Sequence, residues 1–344
     1  GVTQVVTSAG RRGHAPKTGP LPAGVTSIDI DALLAAHRGW RALVALGATL
    51  LLPTSALLAL NGCRRRRPQD VATVLFSAAG SGRAGQPVAI THRNLVANVA
   101  QIVDVLNTEC DDVVLANQSL SHAFGLTVTL CLPLLAGVRM ACQPDPNDAL
   151  GSARAVARYR VTLLFGTSAQ YGRWLEQPRI HPAMLDSLRL LIAGAGRLES
   201  AVRDRFALRF DKRILESYGA TETSPLASLN VPDAIETQHW KVQIGSKPGS
   251  VGMPLPGNCF RIVDPGTLEP LPAGREGLVL IGGVQIMSGY LDDPQRSAEA
   301  VVEQDGIRWF RSGDLGFLDE DGFLTITQPR NTGARADQGQ AASR

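Results

Sequence analysis

Short apolar runs alternate with helical patterns through the middle of the chain, and this alternation restricts the fold more than any other feature. Five runs have the length and composition of buried strands, at residues 71–76, 113–115, 161–165, 188–192 and 213–216. Helical patterns lie between them at residues 95–106 and 147–159, the second opening on Asn147 as a helix cap. The alternation predicts an α/β fold with a largely parallel, layered sheet.

The pattern changes beyond about residue 249 to short strands separated by turn sequences, which predicts a small β-rich subdomain. Residues 328–344 are polar and unpatterned, so we expect a disordered tail. The expected organisation is an incomplete N-terminal lobe, an α/β core, a β-rich subdomain and the tail, at residues 1–70, 71–248, 249–327 and 328–344.

Composition narrows the class of protein. A chain of 344 residues that is 44% hydrophobic can bury a full-sized core, while a net charge of +3 without a recognition motif argues against a nucleic-acid partner. The five cysteines form no C-x-x-C pair, which favours a reducing, cytoplasmic setting. The chain opens at Gly1 without a signal-peptide pattern, and we expect it to be a piece of a longer protein.

Residues 40–67 form an apolar segment that ends in four arginines. The segment is long enough for a transmembrane helix, but Pro53 divides its apolar part into two pieces of about ten residues, each too short to span a bilayer. We favour an interfacial helix or helical hairpin at the inner face of the membrane, with the arginines on anionic headgroups. Burial in the protein and a spanning helix are the alternatives.

The sequence around Tyr218 to Glu222 begins as a strand and turns at Gly219, which permits a positive φ or a close approach of the backbone to a ligand. In a nucleotide site the tyrosine ring would cover adenine, the hydroxyls of Thr221 and Thr223 would reach phosphate oxygens, and Glu222 would hold Mg²⁺. The structural alternative is a turn whose threonine and glutamate cap a following helix.

Asp314 supplies a second element of such a site about ninety residues later, before an acidic hairpin signal at residues 319–322. Its carboxylate, predicted to lie in a turn, can accept hydrogen bonds from two neighbouring ribose hydroxyls. An ordinary turn aspartate is the alternative. Both motifs in this order favour a nucleotide site.

These motifs resemble those of the AMP-forming acyl-adenylate synthetases, the superfamily of acyl-CoA synthetases, nonribosomal-peptide adenylation domains and luciferases. The family patterns Y-G-x-T-E, R-[ST]-G-D-[LI]-G, H-x-F-G, G-Y-x-x-[DN]-P and G-A-[EA] stand at residues 218–222, 311–316, 122–125, 289–294 and 194–196, the last with a changed third residue. Within this superfamily the chain is most similar to the acyl-carrier-protein synthetase part of 2-acylglycerophosphoethanolamine acyltransferases. The arginine-ended apolar segment at residues 40–67 points to this acyltransferase-linked branch.

The resemblance implies ATP-dependent activation of a fatty acid to an acyl-adenylate, followed by transfer to the thiol of an acyl-carrier protein or of coenzyme A. It implies Mg²⁺ at Glu222, and catalytic roles for Glu222, Thr221 and His122, with His122 near the carboxylate and the thiol entrance. For His122 a core histidine satisfied by the backbone is the alternative. The implied nucleotide contacts are Gly80, Ser81, Gly194, Ala195, Gly196, Tyr218, Gly219, Thr221 and Asp314.

The chain departs from the family pattern in the phosphate loop and after Thr327. In the loop only Gly80 and Ser81 stand where expected, and Gln86 occupies the place of a lysine, with Arg83 as a substitute cation. After Thr327 the basic hinge and the mobile domain with its catalytic lysine, which the resemblance implies, do not follow. The start also resembles a chain cut within the N-terminal lobe of the family, so we expect a chain truncated at both ends.

Three functions follow from these observations. The first is an acyl-adenylate-forming ligase whose turnover is incomplete or impaired in this chain. The second is a degenerate module that binds nucleotide or acyl groups without turnover, which the lost lysines favour. The third is a membrane-anchoring partner domain that acts through residues 40–67.

Overall fold

A computed structural model of the chain describes residues 4–7, 26–29, 31–32, 35, 39–63, 66–77 and 85–329. The chain divides into two units, residues 1–67 and residues 68–344.

The first unit contains a parallel pair of short strands and two apolar helices. The elements are β1 Gln4–Thr7, β2 Thr26–Asp29, α1 Trp40–Leu51 and α2 Thr54–Leu60. Pro53 is the N-cap of the second helix, so the apolar run breaks where the sequence predicts a break. The large apolar side chains of both helices are mostly exposed, which does not match a buried segment. Among the described residues, neither helix is long and apolar enough to cross a bilayer.

The second unit contains the remaining elements. Its helices are α3 His92–Val105, α4 Ala123–Gly125, α5 Leu132–Ala136, α6 Ala149–Tyr159, α7 Ser168–Glu176, α8 Ser200–Phe210 and α9 Pro294–Ala300, with a π-helix at Leu126–Cys131 and 3₁₀ turns at Pro182–Leu185 and Thr221–Thr223. Its strands are β3 Val71–Phe76, β4 Pro87–Thr91, β5 Val113–Ala116, β6 Arg139–Cys142, β7 Leu163–Gly166, β8 Leu190–Ala193, β9 Ile214–Tyr218, β10 Ser228–Leu229, β11 Ala234–Glu236, β12 Lys241–Gln243, β13 Met253–Pro254, β14 Asn258–Val263, β15 Gly277–Gly283, β16 Gly289–Tyr290, β17 Val301–Gln304, β18 Ile307–Leu318 and β19 Leu324–Gln328.

A seven-stranded sheet in the order β13-β10-β9-β8-β7-β5-β6 forms the centre of this unit. The five strands from β9 to β6 are parallel, and β10 and β13 continue the sheet in antiparallel pairing. Alternate strand residues face opposite layers: Leu164 packs with helices α6, α7 and α8, whereas Leu163 and Phe165 pack with α3 and the stretch from α4 to α5. The predicted layered α/β fold is confirmed.

Helix and strand boundaries follow local chemistry. Thr91 caps α3, because its hydroxyl accepts a hydrogen bond from the amide of Asn94. The side-chain oxygen of Asn94 in turn accepts a hydrogen bond from the amide of Thr91. Helix α6 is capped by Asp148, not by Asn147 as the sequence predicted, since the Asp148 carboxylate accepts from the backbone of Gly151.

The first predicted strand does not join the parallel sheet. Strand β3 pairs with β4 in an antiparallel ladder, and β16 adds to the other edge of β4. Residues 78–84, which connect β3 to β4, lie outside the described residues. The hairpin therefore brings both ends of the phosphate-loop segment to one place.

The chain beyond residue 249 is rich in strands, with β14, β15, β18 and β17 in one antiparallel sheet. Strand β19 pairs with the second half of β18, on the edge opposite β15. Gln328, the first residue of the predicted tail, belongs to β19. Residues 330–344 of that predicted tail lie outside the described residues.

Candidate functional site

The candidate site lies at the carboxyl ends of β8 and β9, the edge where open α/β sheets bind ligands. Gly194 follows β8, and Tyr218 ends β9. The hydroxyl of Ser217 donates to the carbonyl of Ala193 at 2.8 Å, which ties the two strand ends together.

Gly219 is required by a close approach of the backbone, not by a positive φ. A Cβ added to this residue would lie 1.9 Å from the carbonyl oxygen of Pro225. The amide of Ala227 donates to the carbonyl of Tyr218 at 2.8 Å, so the chain folds back on itself directly after β9. The sequence allowed a positive φ or a close approach to a ligand, whereas the structure shows a close approach to the backbone of the protein itself.

The turn Thr221–Thr223 is a 3₁₀ turn followed by strand β10, so it caps no following helix. Thr223 is fully buried, and its hydroxyl accepts from the amide of Ala220 at 2.9 Å and donates to the carbonyl of Pro225 at 2.8 Å. The expectation that Thr223 reaches a phosphate is therefore wrong. The hydroxyl of Thr221 lies 3.4 Å from the carbonyl of Phe76, at the end of the strand that leads into the phosphate loop.

Glu222 is buried at 4% exposure, and its side chain is oriented by a tyrosine from a distant strand. The hydroxyl of Tyr290 donates to Oε1 of Glu222 at 2.9 Å, and the amide of Met287 donates to the carbonyl of Glu222 at 2.8 Å. The sequence assigned no role to Tyr290, although the G-Y-x-x-[DN]-P pattern at residues 289–294 contains it.

Tyr218 and Asp314 meet, although they are 96 positions apart: the phenol donates to Oδ2 of the carboxylate. Burial, reinforced by the negative charge of Asp314, holds the pKa of the Tyr218 phenol well above its usual range, so the phenol is a hydrogen-bond donor at neutral pH. The hydroxyl of Ser312 accepts from the amide of Asp314 at 3.0 Å and donates to the carbonyl of Val279 at 2.8 Å.

Asp314 lies within strand β18 and not in the predicted turn. The register between β15 and β18 shifts between Leu278 and Leu280, and Gly313 has a φ of 79°. A bulge of this kind re-aims side chains within a strand. The bulge directs the carboxylate of Asp314 to Tyr218.

His122 is exposed and is the N-cap of α4, so it is not a core histidine. Phe124 follows it and is buried against Phe165, with ring centroids 6.2 Å apart. A Cβ on Gly194 would lie 2.4 Å from the Phe124 ring, so only glycine fits beneath that ring. The motif around His122 is therefore packed against the end of β8, while the imidazole faces solvent.

Gly194, Ala195 and Gly196 form the turn after β8. Gly194 is buried, and its amide donates to the carbonyl of Gly166 at 3.0 Å. Ala195 and Gly196 are exposed and have φ values of 56° and 150°. The exposed backbone of these two residues is accessible to a ligand at the same sheet edge as Tyr218.

The phosphate loop is only partly described. Gly80, Ser81 and Arg83 lie outside the described residues, so their predicted roles stay predictions. The base of the loop is closed by Ser77 and Gln86: the Ser77 amide donates to the Gln86 carbonyl at 2.8 Å, and the Gln86 amide donates to the Ser77 hydroxyl at 2.9 Å.

The donor set fits a magnesium ion that is held mainly by substrate. Within the described ranges no group of three or more metal-ligating side chains occurs, and Glu222 is the carboxylate at the turn. Mg²⁺ is usually bound by one or two carboxylates together with phosphate oxygens and water. A single buried, hydrogen-bonded glutamate beside Thr221 matches that requirement.

One unexpected feature is the π-helix Leu126–Cys131 directly after the His122 motif. The hydroxyl of Thr129 donates to the carbonyl of Gly125 at 2.6 Å, and that of Thr127 lies 3.4 Å from the carbonyl of Ser224. π-Helices are rare and frequent at functional sites, and no sequence pattern of hydrophobic spacing reveals them.

A family model described as "AMP-binding enzyme" matches residues 22–291, which is more than half of the chain. The chain therefore belongs to the AMP-binding enzyme family.

Its relatives include a long-chain-fatty-acid–CoA ligase of Escherichia coli, 29% identical over 75% of this chain and 44% of the ligase, and 4-coumarate–CoA ligase 1 of Petroselinum crispum, 32% identical over 75% of this chain and 46% of the ligase. ATP-bound MatB from Rhodopseudomonas palustris is similar in structure, with 29% identity, a TM-score of 0.66, and coverage of 77% of this chain and 49% of that protein. The chain thus spans less than half the length of each of these three proteins. Its assignment to the acyltransferase-linked branch stays a prediction.

Proposed function

We propose that this chain forms the nucleotide half of an adenylation site that activates a fatty acid with ATP. The main support for this proposal is that Tyr218, Glu222 and Asp314, from two distant segments, lie together at the carboxyl end of β9. In this proposal the ring of Tyr218 lies on adenine, Asp314 accepts the ribose hydroxyls, and Thr221 meets phosphate oxygens. The bound Mg²⁺ supplies positive charge to the phosphates, and Glu222 holds it.

The chemical step joins a fatty-acid carboxylate oxygen to the α-phosphorus of ATP, and pyrophosphate leaves with the electrons of the broken P–O bond. The acyl-adenylate then reacts with a carrier thiol, which displaces AMP. The family match and the fatty-acid–CoA ligase among the relatives support a fatty acid as substrate and coenzyme A as acceptor. An acyl-carrier protein is the alternative acceptor. In this proposal His122, whose imidazole is exposed, acts at the thiol side.

Exchange of labelled pyrophosphate into ATP tests the adenylation proposal. We expect exchange that requires both a long-chain fatty acid and Mg²⁺, and that is lost in Glu222→Ala. Exchange that persists without fatty acid, or in Glu222→Ala, would contradict the assigned substrate or the assigned metal ligand.

A second candidate function is nucleotide binding without turnover. It is favoured by Gln86, which stands in place of the family lysine and lacks the positive charge that meets pyrophosphate oxygens. Saturable ATP binding without any fatty-acid-dependent exchange is the outcome that selects this function. Replacing the glutamine by lysine, Gln86→Lys, would then be expected to raise exchange.

Contact with a membrane surface is a separate part of the proposal. Helices α1 and α2 expose Trp40 at 70%, Leu51 at 84% and Leu60 at 74%, and the arginine run at residues 64–67 follows them. Exposed apolar side chains beside arginines are typical of helices that lie in the interface of an anionic membrane.

A further inference from the structure

We propose that Tyr290 is a positioning residue that fixes the carboxylate of Glu222 for the cation. The inference rests on the proposed function, because it assigns to Tyr290 a role in the metal dependence of ATP binding. Its basis is the hydrogen bond of 2.9 Å from the Tyr290 hydroxyl to Oε1 of Glu222. Both side chains are buried, at 9% and 4% exposure.

The backbone at Tyr290 is fixed by contacts with strand β4 and with Ser297. Its backbone pairs with Val88 of strand β4, which leaves the phosphate loop, and its amide donates to the hydroxyl of Ser297 at 2.8 Å. The neighbouring amide of Leu291 donates to the carbonyl of Pro87 at 2.8 Å. Tyr290, which donates to Glu222, is therefore paired with strand β4, the strand that follows the phosphate-loop segment.

The segment just before Tyr290, residues 285–287, also binds the main chain of the turn that contains Glu222. The amide of Met287, three residues before Tyr290, donates to the carbonyl of Glu222 at 2.8 Å. The hydroxyl of Ser224 donates to the carbonyl of Gln285 at 2.8 Å. Residues 285–290 thus contact both the main chain of the turn and the carboxylate of Glu222. Two of them, Gly289 and Tyr290, also pair with the strand that follows the phosphate loop.

A hydrogen bond to a buried carboxylate restricts its rotation and favours its charged form. Removal of the partners that orient a metal ligand typically lowers metal affinity by about ten- to a hundredfold. Tyr290→Phe removes the donor and keeps the ring, so the change should act on the cation and not on adenosine.

The test uses the full chain and calorimetric titrations with Mn²⁺ as the probe cation. AMP affinity in the presence of a chelator reports the adenosine contacts of Tyr218 and Asp314. The ratio of ATP affinities with and without Mn²⁺ reports the metal site. For Tyr290→Phe we expect AMP affinity within twofold of wild type and a Mn²⁺-dependent gain in ATP affinity that is at least about tenfold smaller.

Tyr171→Phe is the matched control, because Tyr171 is also buried and its hydroxyl donates to the carbonyl of Ile192 at 3.0 Å, away from the turn. It should leave the Mn²⁺-dependent gain in ATP affinity unchanged.

Ser297→Ala removes the acceptor for the Tyr290 amide and should lower this gain by a smaller factor than Tyr290→Phe does. This variant replaces Tyr290→Phe in the test if Tyr290→Phe does not fold.

The outcomes separate the inference from the proposed function. A wild-type chain that is folded and does not bind AMP would contradict both the proposed function and the inference about Tyr290. Wild-type AMP and ATP binding with an equal Mn²⁺-dependent gain in Tyr290→Phe overturns the inference alone. A loss of AMP affinity in Tyr290→Phe that equals the loss for ATP also overturns it, because Tyr290 would then support the fold of the whole site.

Discussion

At the scale of single residues, the candidate site depends on the bond between Tyr218 and Asp314. Because burial and the nearby carboxylate keep the phenol protonated, the tyrosine donates and the aspartate accepts. The bond fixes the position of the aspartate that is expected to meet the ribose hydroxyls. The ring of Tyr218 is in turn packed near Phe260, with centroids 6.5 Å apart.

Removing this bond while keeping the ring is the first prediction. Tyr218→Phe should weaken AMP binding by about tenfold, since a hydrogen bond to a charged group contributes about 1.5 to 3 kcal/mol and part of that is recovered by water. Calorimetric titration with AMP measures the effect. Unchanged affinity would show that the Tyr218 hydroxyl does not orient the ribose partner.

Gly219 gives the second prediction. Gly219→Ala places a methyl group 1.9 Å from the Pro225 oxygen, so the turn must shift, and we expect a loss of about 2 kcal/mol in the free energy of unfolding together with weaker AMP binding. Gly172→Ala is the control, because its Cβ would lie 3.9 Å from the side chain of Val202, an ordinary contact between helices α7 and α8. Denaturant unfolding of both variants measures the difference, and equal stabilities would contradict the close approach.

The motifs indicate most of these residues without the structure, because a nucleotide site needs certain side chains at short spacing along the chain. The expectation for Thr223 is wrong because its hydroxyl closes the turn, and a sequence does not state where a hydroxyl points. Tyr290 escapes sequence reasoning because its partner is 68 positions away. The pairing of β16 with β4, which holds Tyr290 beside the phosphate-loop hairpin, is a contact between distant segments that the local sequence does not predict.

At the scale of elements, the amino ends of the parallel strands are tied by an ion pair. Asp112 precedes β5, and its carboxylate lies 2.7 Å from the guanidinium of Arg189, which precedes β8. The hydroxyl of Thr162, which precedes β7, donates to the same carboxylate at 2.6 Å. Burial alone would raise the pKa of Asp112, but the hydrogen bonds from Arg189 and Thr162 outweigh it and hold the pKa below its usual value.

The third prediction concerns acid stability. A carboxyl group with a lowered pKa in the folded state stabilises the fold above its unfolded pKa of about 4, and this contribution is lost as the pH falls below that value. Asp112→Asn should therefore lower the free energy of unfolding by about 1 kcal/mol at neutral pH. The variant should also lose less stability than the wild type as the pH falls into the acid range.

Urea unfolding at several pH values between neutral and about 3 measures this effect. Asp186→Asn is the control, since Asp186 is exposed and forms no ion pair with a described residue. A variant that loses stability in acid as steeply as wild type would contradict the role of the Asp112 pair.

Strand positions are readable from the sequence because buried strands need short apolar runs. The pairing of β3 is not, since the same apolar composition suits an antiparallel hairpin and a parallel strand. At the bulge around Asp314 the sequence predicts a turn, because Gly313, Asp314 and Gly316 have turn composition although they lie within strand β18.

At the scale of the whole molecule, the chain consists of two units, and the second has its own hydrophobic cores. The residues of the candidate nucleotide site all belong to residues 68–344. The exposed apolar helices and the arginine run belong to residues 1–67. Nucleotide binding and membrane contact should therefore be separable.

The fourth prediction follows from this division. A chain of residues 68–344 should unfold cooperatively and bind AMP with the affinity of the full chain, while it loses binding to vesicles that contain anionic lipid. Co-sedimentation with such vesicles and AMP titration measure the two properties. Equal vesicle binding by both chains would contradict a membrane role for residues 40–67.

AMP binding by the wild-type chain and by Asp314→Ala tests the central claim most directly. The account predicts saturable binding by the wild type and an affinity at least about tenfold lower in Asp314→Ala, because the ribose loses a charged acceptor. Asp264→Ala, at a half-buried turn aspartate whose carboxylate accepts from the amide of Gly266, should bind AMP as the wild type does. A folded wild-type chain that does not bind AMP, or an Asp314→Ala variant that binds it equally well, would contradict the claim.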